Sequence, residues 1–150
     1  MIGLLQRVTQ ARVEVAGEII GAIDRGLMVL IGVEKGDREA QAERLLERLL
    51  GYRVFPDPEG KMNLSVKDIH GSLLLVPQFT LPADTKKGMR PSFTLAALPA
   101  EGERLFNYVL ARARALHQPV ASGRFGANMQ LSLTNDGPVT FWLRAAPGLK

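Results

Sequence analysis

The sequence predicts an α+β domain: a mostly antiparallel β-sheet, barrel-like, with two covering helices. Three observations predict it. Strand-like segments outnumber helical ones, they cluster at both ends of the chain, and no composition break, repeat or low-complexity linker interrupts the 150 residues. A single domain spanning 1–150 is therefore expected, long enough to bury a substantial core.

Each element has its own signature. "LLQRVTQARVEVAGEIIGAI" alternates apolar and polar residues, as half-buried strands do, with a hairpin turn at Gly17 and Glu18. "GLMVLIGV", Gly26 to Val33, is apolar throughout and reads as a central strand. Asp37 is placed to cap a helix through "REAQAERLLERLL", in which Ala42, Leu45, Leu46, Leu49 and Leu50 form one stripe and Gly51 follows as a stop. "PDPEGKMN" is a turn, and "SLLLVPQFTL", Ser72 to Leu81, is a strand followed by the polar loop "PADTKKGMRPSF". A second helix runs from about Ala100 to His117 and buries Leu105, Phe106, Val109, Leu110, Ala113 and Leu116. Two strands, "NMQLSL" and "VTFWL", close the chain, joined by "TNDGP". The aromatics Phe55, Phe106, Phe141 and Trp142 read as core or interface.

Composition narrows the function classes. The absence of cysteine excludes disulfides, thiol nucleophiles and thiolate metal sites, and fits a reducing compartment. No apolar run approaches a membrane span, and "MIGLLQRVTQ" lacks the features of a signal peptide, so a soluble cytoplasmic protein is expected. The net charge of +4 suits a polyanionic partner such as RNA, and equally suits an ordinary cytoplasmic domain.

Conventional catalytic groups are scarce. His70 and His117 form no metal-ligand pair and flank no nucleophile motif. Glu43 and Glu47 are interleaved with arginines and read as a solvated ion-pair face. No phosphate-cradling glycine motif is present, and no metal or cofactor is expected. An enzyme built from these residues works through positioning, backbone dipoles or the substrate's own groups.

Two stretches stand out. "VPQFTL" breaks the most apolar strand with a proline, which cannot donate a ladder hydrogen bond, and a glutamine. "NDGPVT", Asn135 to Thr140, reads on its residues alone as a hairpin turn, because asparagine, aspartate and glycine tolerate positive φ.

"PQFTL" at 77–81, "GMRPSF" at 88–93 and "NDGPVTFWL" at 135–143 together resemble the D-aminoacyl-tRNA deacylase family. "QRVTQARVEV", "GVEKGD", "LLGYRVFPDPEGKMNLSV" and "SGRFGANMQLSL" extend the likeness, in the same order, over nearly the whole chain. The resemblance implies a homodimer that hydrolyses the ester between a D-amino acid, or glycine mischarged on alanine tRNA, and the 3′-terminal adenosine of tRNA. It assigns Gln78, Phe79 and Thr80 to the reaction pocket. Gly137 and Pro138, joined by a cis bond, would reach into the partner's pocket. Arg7, near the start of the first strand, is a candidate to brace that loop, and a surface ion pair accounts for it equally well. The chain departs from the family pattern at Pro77, where the family carries serine. A hydroxyl and a backbone N–H are lost there, leaving the N–H groups of Phe79 and Thr80 as donors to the ester carbonyl. Thr80 as a nucleophile, and an RNA-binding module without turnover, are the competing readings. Lys86, Lys87 and Arg90, beyond the pocket strand, are candidates for tRNA phosphates, and a solvated loop accounts for them as well.

Overall fold

The computed structural model describes residues 1–147. In chain order the elements are β1 (Ile2–Val15), β2 (Glu18–Ile23), β3 (Gly26–Gly32), α1 (Glu39–Gly51), β4 (Phe55–Pro56), β5 (Met62–Leu64), β6 (Ser72–Pro77), α2 (Pro99–Leu116), β7 (Val120–Ser122) and β8 (Gln130–Arg144). β1 pairs antiparallel with β3 through its first half, with β2 through its second, and with β8 from Ile2 to Glu14. The sheet continues from β3 to β6 to β7 with both pairings parallel. The α+β, barrel-like fold with two helices is as expected, and the parallel arm refines its antiparallel description.

That arm explains the two continuous apolar runs, since a strand flanked and covered on both faces has no polar side. Leu27, Val29 and Ile31 of β3 and Leu73 and Leu75 of β6 join the core under the helices, with Leu45, Leu46 and Leu49 of α1 and Leu105, Phe106 and Val109 of α2. Met28, Leu74 and Val76 turn to the opposite face and meet Val8, Val13 and Ile23. Each fully buried side chain of this size contributes roughly 1.5–3 kcal/mol. Two glycines permit the close approaches that curl the sheet. A Cβ on Gly26 would lie 1.9 Å from the Ser72 carbonyl oxygen, and one on Gly21 would lie 2.8 Å from that of Ser122, where β2 folds over β7.

Several boundaries move. The strand expected over Ser72–Leu81 ends at Pro77, and the two strands expected around "TNDGP" are one strand, β8, carrying a bulge. The N-cap of α1 is Arg38, whose backbone N–H donates to Gln41 Oε1 at 2.8 Å. Leu116, expected in the core, is 43% exposed. His117 follows α2 as its C-cap, with Nε2 2.6 Å from the Gly71 carbonyl oxygen. Glu43 accepts from Tyr108 and Arg112 and Glu47 pairs with Arg44, the ion-pair face read from sequence. No helix among the described residues is long and apolar enough to cross a membrane.

Asp37 does not cap the helix because it has another partner. Its carboxylate accepts from the Met1 ammonium at 2.7 Å and from the Glu34 backbone N–H at 2.7 Å, in a buried cluster. Glu34 accepts from the same ammonium at 3.0 Å and from both arms of Arg144. Burial pushes the Asp37 carboxyl above its ordinary range despite the ammonium. Burial also works to raise Glu34, but Arg144 and the ammonium outweigh it and hold that carboxyl below its ordinary range.

Candidate active site

The first site segment is a turn built off the end of β6. In a parallel ladder alternate residues face alternate neighbours. Gln78 N–H donates to Ile31 O at 2.8 Å on the β3 side, whereas Leu75 O accepts from Gly123 N–H at 2.8 Å on the β7 side. Pro77 shares the parity of Leu75, so its nitrogen faces β7 beyond the last rung, Leu75 to Ser122. Proline therefore costs the sheet nothing, as expected where a ladder stops. The lost N–H lay on the β7 side, away from the turn.

Beyond Pro77 the chain folds over β3. Leu81 N–H donates to Gln78 O at 3.3 Å and Ala83 N–H to Thr80 O at 3.1 Å. Gly32 makes room, since a Cβ there would lie 2.8 Å from both Leu81 Cβ and Pro82 Cδ. Gln78 Nε2 donates to Thr80 Oγ1 at 2.5 Å. Phe79 is 63% exposed, with its ring 5.4 Å from that of Phe93. The backbone N–H groups of Phe79 and Thr80 donate to no acceptor among the described residues. Two successive free main-chain donors on an exposed turn can receive an anionic oxygen. Among the described residues no acid, base or histidine is hydrogen-bonded to Thr80, so its hydroxyl has no partner there that would activate it as a nucleophile.

The second segment is the bulge in β8. Gln6 faces Thr140 and Val8 faces Asn135, so four residues, Asp136 to Val139, stand opposite Arg7 alone. Gly137 has φ +130° and precedes a cis bond to Pro138, both residues being exposed. Arg7, with its side chain only 13% exposed, donates through Nε to Asp136 O at 3.1 Å and through Nη1 to Val54 O at 2.7 Å. The Asp136 carboxylate lies 3.5 Å from the same Nε. A Cβ on Gly137 would sit 3.1 Å from Arg7 Nη2 and 2.7 Å from Val139 Cγ2, so only glycine fits. On the other side Val139 N–H donates to Asn135 Oδ1 at 3.1 Å, and Asn135 Nδ2 donates to Thr140 Oγ1 at 2.9 Å. Neither Asn135 nor the Val54 carbonyl is singled out by sequence reasoning, although asparagine's habit of bonding nearby backbone was a usable signal.

The structure does not bring the two segments together within one protomer. Pro77 lies opposite Ile31 and Arg7 opposite Leu27. The offset is four residues, about 13 Å along the strands, plus three strand spacings of about 4.8 Å each. Lys86, Lys87 and Arg90 are exposed on the loop that the Asp84–Ser92 bridge closes. Two surface hollows lie elsewhere, one beside α1 at Glu43, Glu47 and Leu116, the other at Gln10, Arg12 and Asp24. Neither is lined by any residue of the two segments. No cluster of acidic, histidine or cysteine side chains suited to a metal exists among the described residues.

A protein-family model described as D-Tyr-tRNA(Tyr) deacylase matches residues 4–144. A D-aminoacyl-tRNA deacylase from Stutzerimonas stutzeri is 66% identical, covering 97% of this chain and 100% of that protein. One from Nitrosococcus oceani is 63% identical over 100% of this chain and 97% of its own. Among solved structures, a c-Myc DNA unwinding element binding protein superposes with a TM-score of 0.93 at 40% identity, covering 97% of this chain and 99% of that one. A probable eukaryotic D-amino acid tRNA deacylase superposes at 0.75 with 20% identity, covering 96% and 98%, a likeness of fold. The α+β fold and these relatives are those of an enzyme family acting on charged tRNA. The chain belongs to the D-aminoacyl-tRNA deacylase family.

Proposed function

We propose that this chain, as one domain, hydrolyses the ester joining a D-amino acid, or glycine mischarged on alanine tRNA, to the 3′-terminal adenosine of tRNA. Family membership and the names of its relatives support the activity. The single observation that carries the mechanism is the pair of unpartnered backbone N–H groups at Phe79 and Thr80, beside a threonine with no base. Water adds to the ester carbonyl carbon, giving up a proton through the neighbouring 2′-hydroxyl, and the developing oxyanion accepts from those two groups; collapse breaks the ester C–O bond and expels the ribose 3′-oxygen, which takes up that proton. The neighbouring 2′-hydroxyl orients the water, which removes the need for a side-chain base. The Phe79–Phe93 pair offers an exposed aromatic surface to the terminal adenine.

Chirality is sorted by the Gly137–Pro138 tip of a second copy of the chain. The separation of tip and turn within one protomer supports this reading, as does the unclosed outer edge of β8, a 15-residue strand paired, among the described residues, only to β1. Leu30, Leu4 and Trp142 lie in one row across β3, β1 and β8, with Trp142 55% exposed, an apolar surface for that copy. Main-chain oxygens of the tip hold the substrate ammonium, and the tip obstructs an L side chain. Glycine, with no side chain, passes. The cytoplasm, where charged tRNA is used, is the compartment this activity requires.

Lys86, Lys87 and Arg90 meet tRNA phosphates in this reading. Replacing all three with glutamine is expected to weaken tRNA binding and to flatten its dependence on salt, by a slope of roughly 0.7–0.9 for each phosphate no longer neutralised. Titrations of tRNA binding at several salt concentrations check this; an unchanged slope removes these residues from the interface.

A nucleic-acid-binding module without turnover is the second reading, favoured by the name of the 40%-identical solved relative, a DNA unwinding element binding protein. Release of free D-amino acid from charged tRNA by the purified protein separates the two.

A further inference from the structure

The bulge of β8 needs a second restraint besides Arg7. Four residues leave the ladder between Asn135 and Thr140, and Arg7 fixes only the first of them, through Asp136 O. A four-residue excursion anchored at one end can swing about the other. The Asn135 side chain closes that end. Its Oδ1 accepts from Val139 N–H at 3.1 Å, returning the chain from Pro138 to the strand, and its Nδ2 donates to Thr140 Oγ1 at 2.9 Å. Gln6 Nε2 reaches the same Thr140 oxygen at 3.3 Å, tying this link to β1. The tip is therefore held from both sides, by Arg7 on Asp136 and by Asn135 on Val139, with Gly137 and Pro138 between them.

We propose that Asn135 is a positioning residue for enantiomer selection, its side chain acting with Thr140 to fix where the Gly137–Pro138 tip stands in the partner's pocket. This rests on the reading of the tip given above. Asn135 touches no substrate; it acts through the main chain of Val139. A selector that works by obstruction must be held to a fraction of an ångström, because a tip free to retreat admits the side chain it should block. Loosening it is therefore expected to raise consumption of L-substrate more than it lowers consumption of D-substrate, a pattern that general destabilisation does not produce.

The two links also predict which replacements are tolerated. Asn135→Asp keeps an acceptor for Val139 N–H, and the Thr140 hydroxyl can turn to donate to the carboxylate. Asn135→Ala removes both links. Thr140→Val, close in shape, removes the second, along with the Gln6 bond to the same oxygen.

The experiment measures kcat/KM for matched D- and L-aminoacyl-tRNA with the purified full-length protein and with Asn135→Ala, Asn135→Asp, Thr140→Val and Gly137→Ala, oligomeric state being recorded for each. Losing a hydrogen bond of this kind corresponds to about a tenfold change, so Asn135→Ala is expected to lower the D/L ratio by at least about tenfold. Asn135→Asp should largely restore it, and Thr140→Val should fall between. If Asn135→Ala does not fold, Asn135→Asp and Thr140→Val decide: a Thr140→Val ratio equal to the parent's overturns the proposal. So does a folded Asn135→Ala protein with the parental ratio. When Gly137→Ala lowers the ratio and Asn135→Ala does not, the proposal for Asn135 fails and the tip's role stands. When Gly137→Ala also leaves it unchanged, the reading of the tip fails, and this inference with it.

Discussion

Exchanging the amide nitrogen of Phe79 or Thr80 for an ester oxygen, by incorporating the corresponding α-hydroxy acid, should lower kcat by roughly 10²–10³-fold for each site, the scale of a lost oxyanion donor. The expectation follows from the turn itself. Both N–H groups lie past the end of β6, and neither has an acceptor among the described residues. Removing them disturbs no hydrogen bond of the fold, so the loss reports on catalysis. Thr80→Ala is the informative contrast: it deletes the hydroxyl that receives Gln78 Nε2 but leaves the backbone donor in place. That variant should keep substantial activity. Single-turnover deacylation measures both. Near-total loss in Thr80→Ala with an intact turn would restore the threonine as nucleophile, and unaffected ester variants would remove the main-chain mechanism.

The largest effect on stability is expected at Asp37. Asp37→Ala leaves the Glu34 N–H without its acceptor and the buried Met1 ammonium with only Glu34 and the Ala145 carbonyl oxygen. Removing one member of a buried charged cluster costs about 3–5 kcal/mol, because the groups left behind were desolvated for a partner now missing. Urea unfolding at neutral pH should show a lower midpoint at an unchanged slope. Asp37→Asn should lose less, since its amide oxygen still accepts. Acid acts through the neighbouring carboxyl. Glu34 is held below its ordinary range in the folded protein, so its contribution is present above that range and is lost as pH falls through the lowered value. Asp37, raised by burial, works in the opposite sense. A parental midpoint in Asp37→Ala would show that the cluster contributes little.

Much of this was legible in the residues. The periodicity of Ala42, Leu45, Leu46, Leu49 and Leu50 marked the buried face of α1 because a helix can bury only one stripe. The apolar runs at 26–33 and 73–76 marked buried strands, although nothing local indicated that they pair in parallel. The sequence misled where distant partners decide. Asp37 has the chemistry of a cap but is taken by an ammonium that the chain brings back from residue 1. "NDGP" has the composition of a hairpin turn, yet β1 offers one continuous edge on both sides of it, and pairing with that edge keeps β8 a single strand. Pro77 looked like a defect in a strand and proved to stand where the β7 ladder has already stopped. Motif resemblance pointed to both site segments; their spacing on different strands, and the hold of Asn135 on the tip, required the fold.

The central claim is that a main-chain tip sorts substrates by handedness without reading their side chains. Its most direct test is deacylation of one tRNA carrying the D-form, the L-form or glycine, with the purified protein at equal concentrations of each. Rapid release of the D-amino acid and of glycine, with the L-form spared, is the predicted result. Equal consumption of the two enantiomers would contradict it.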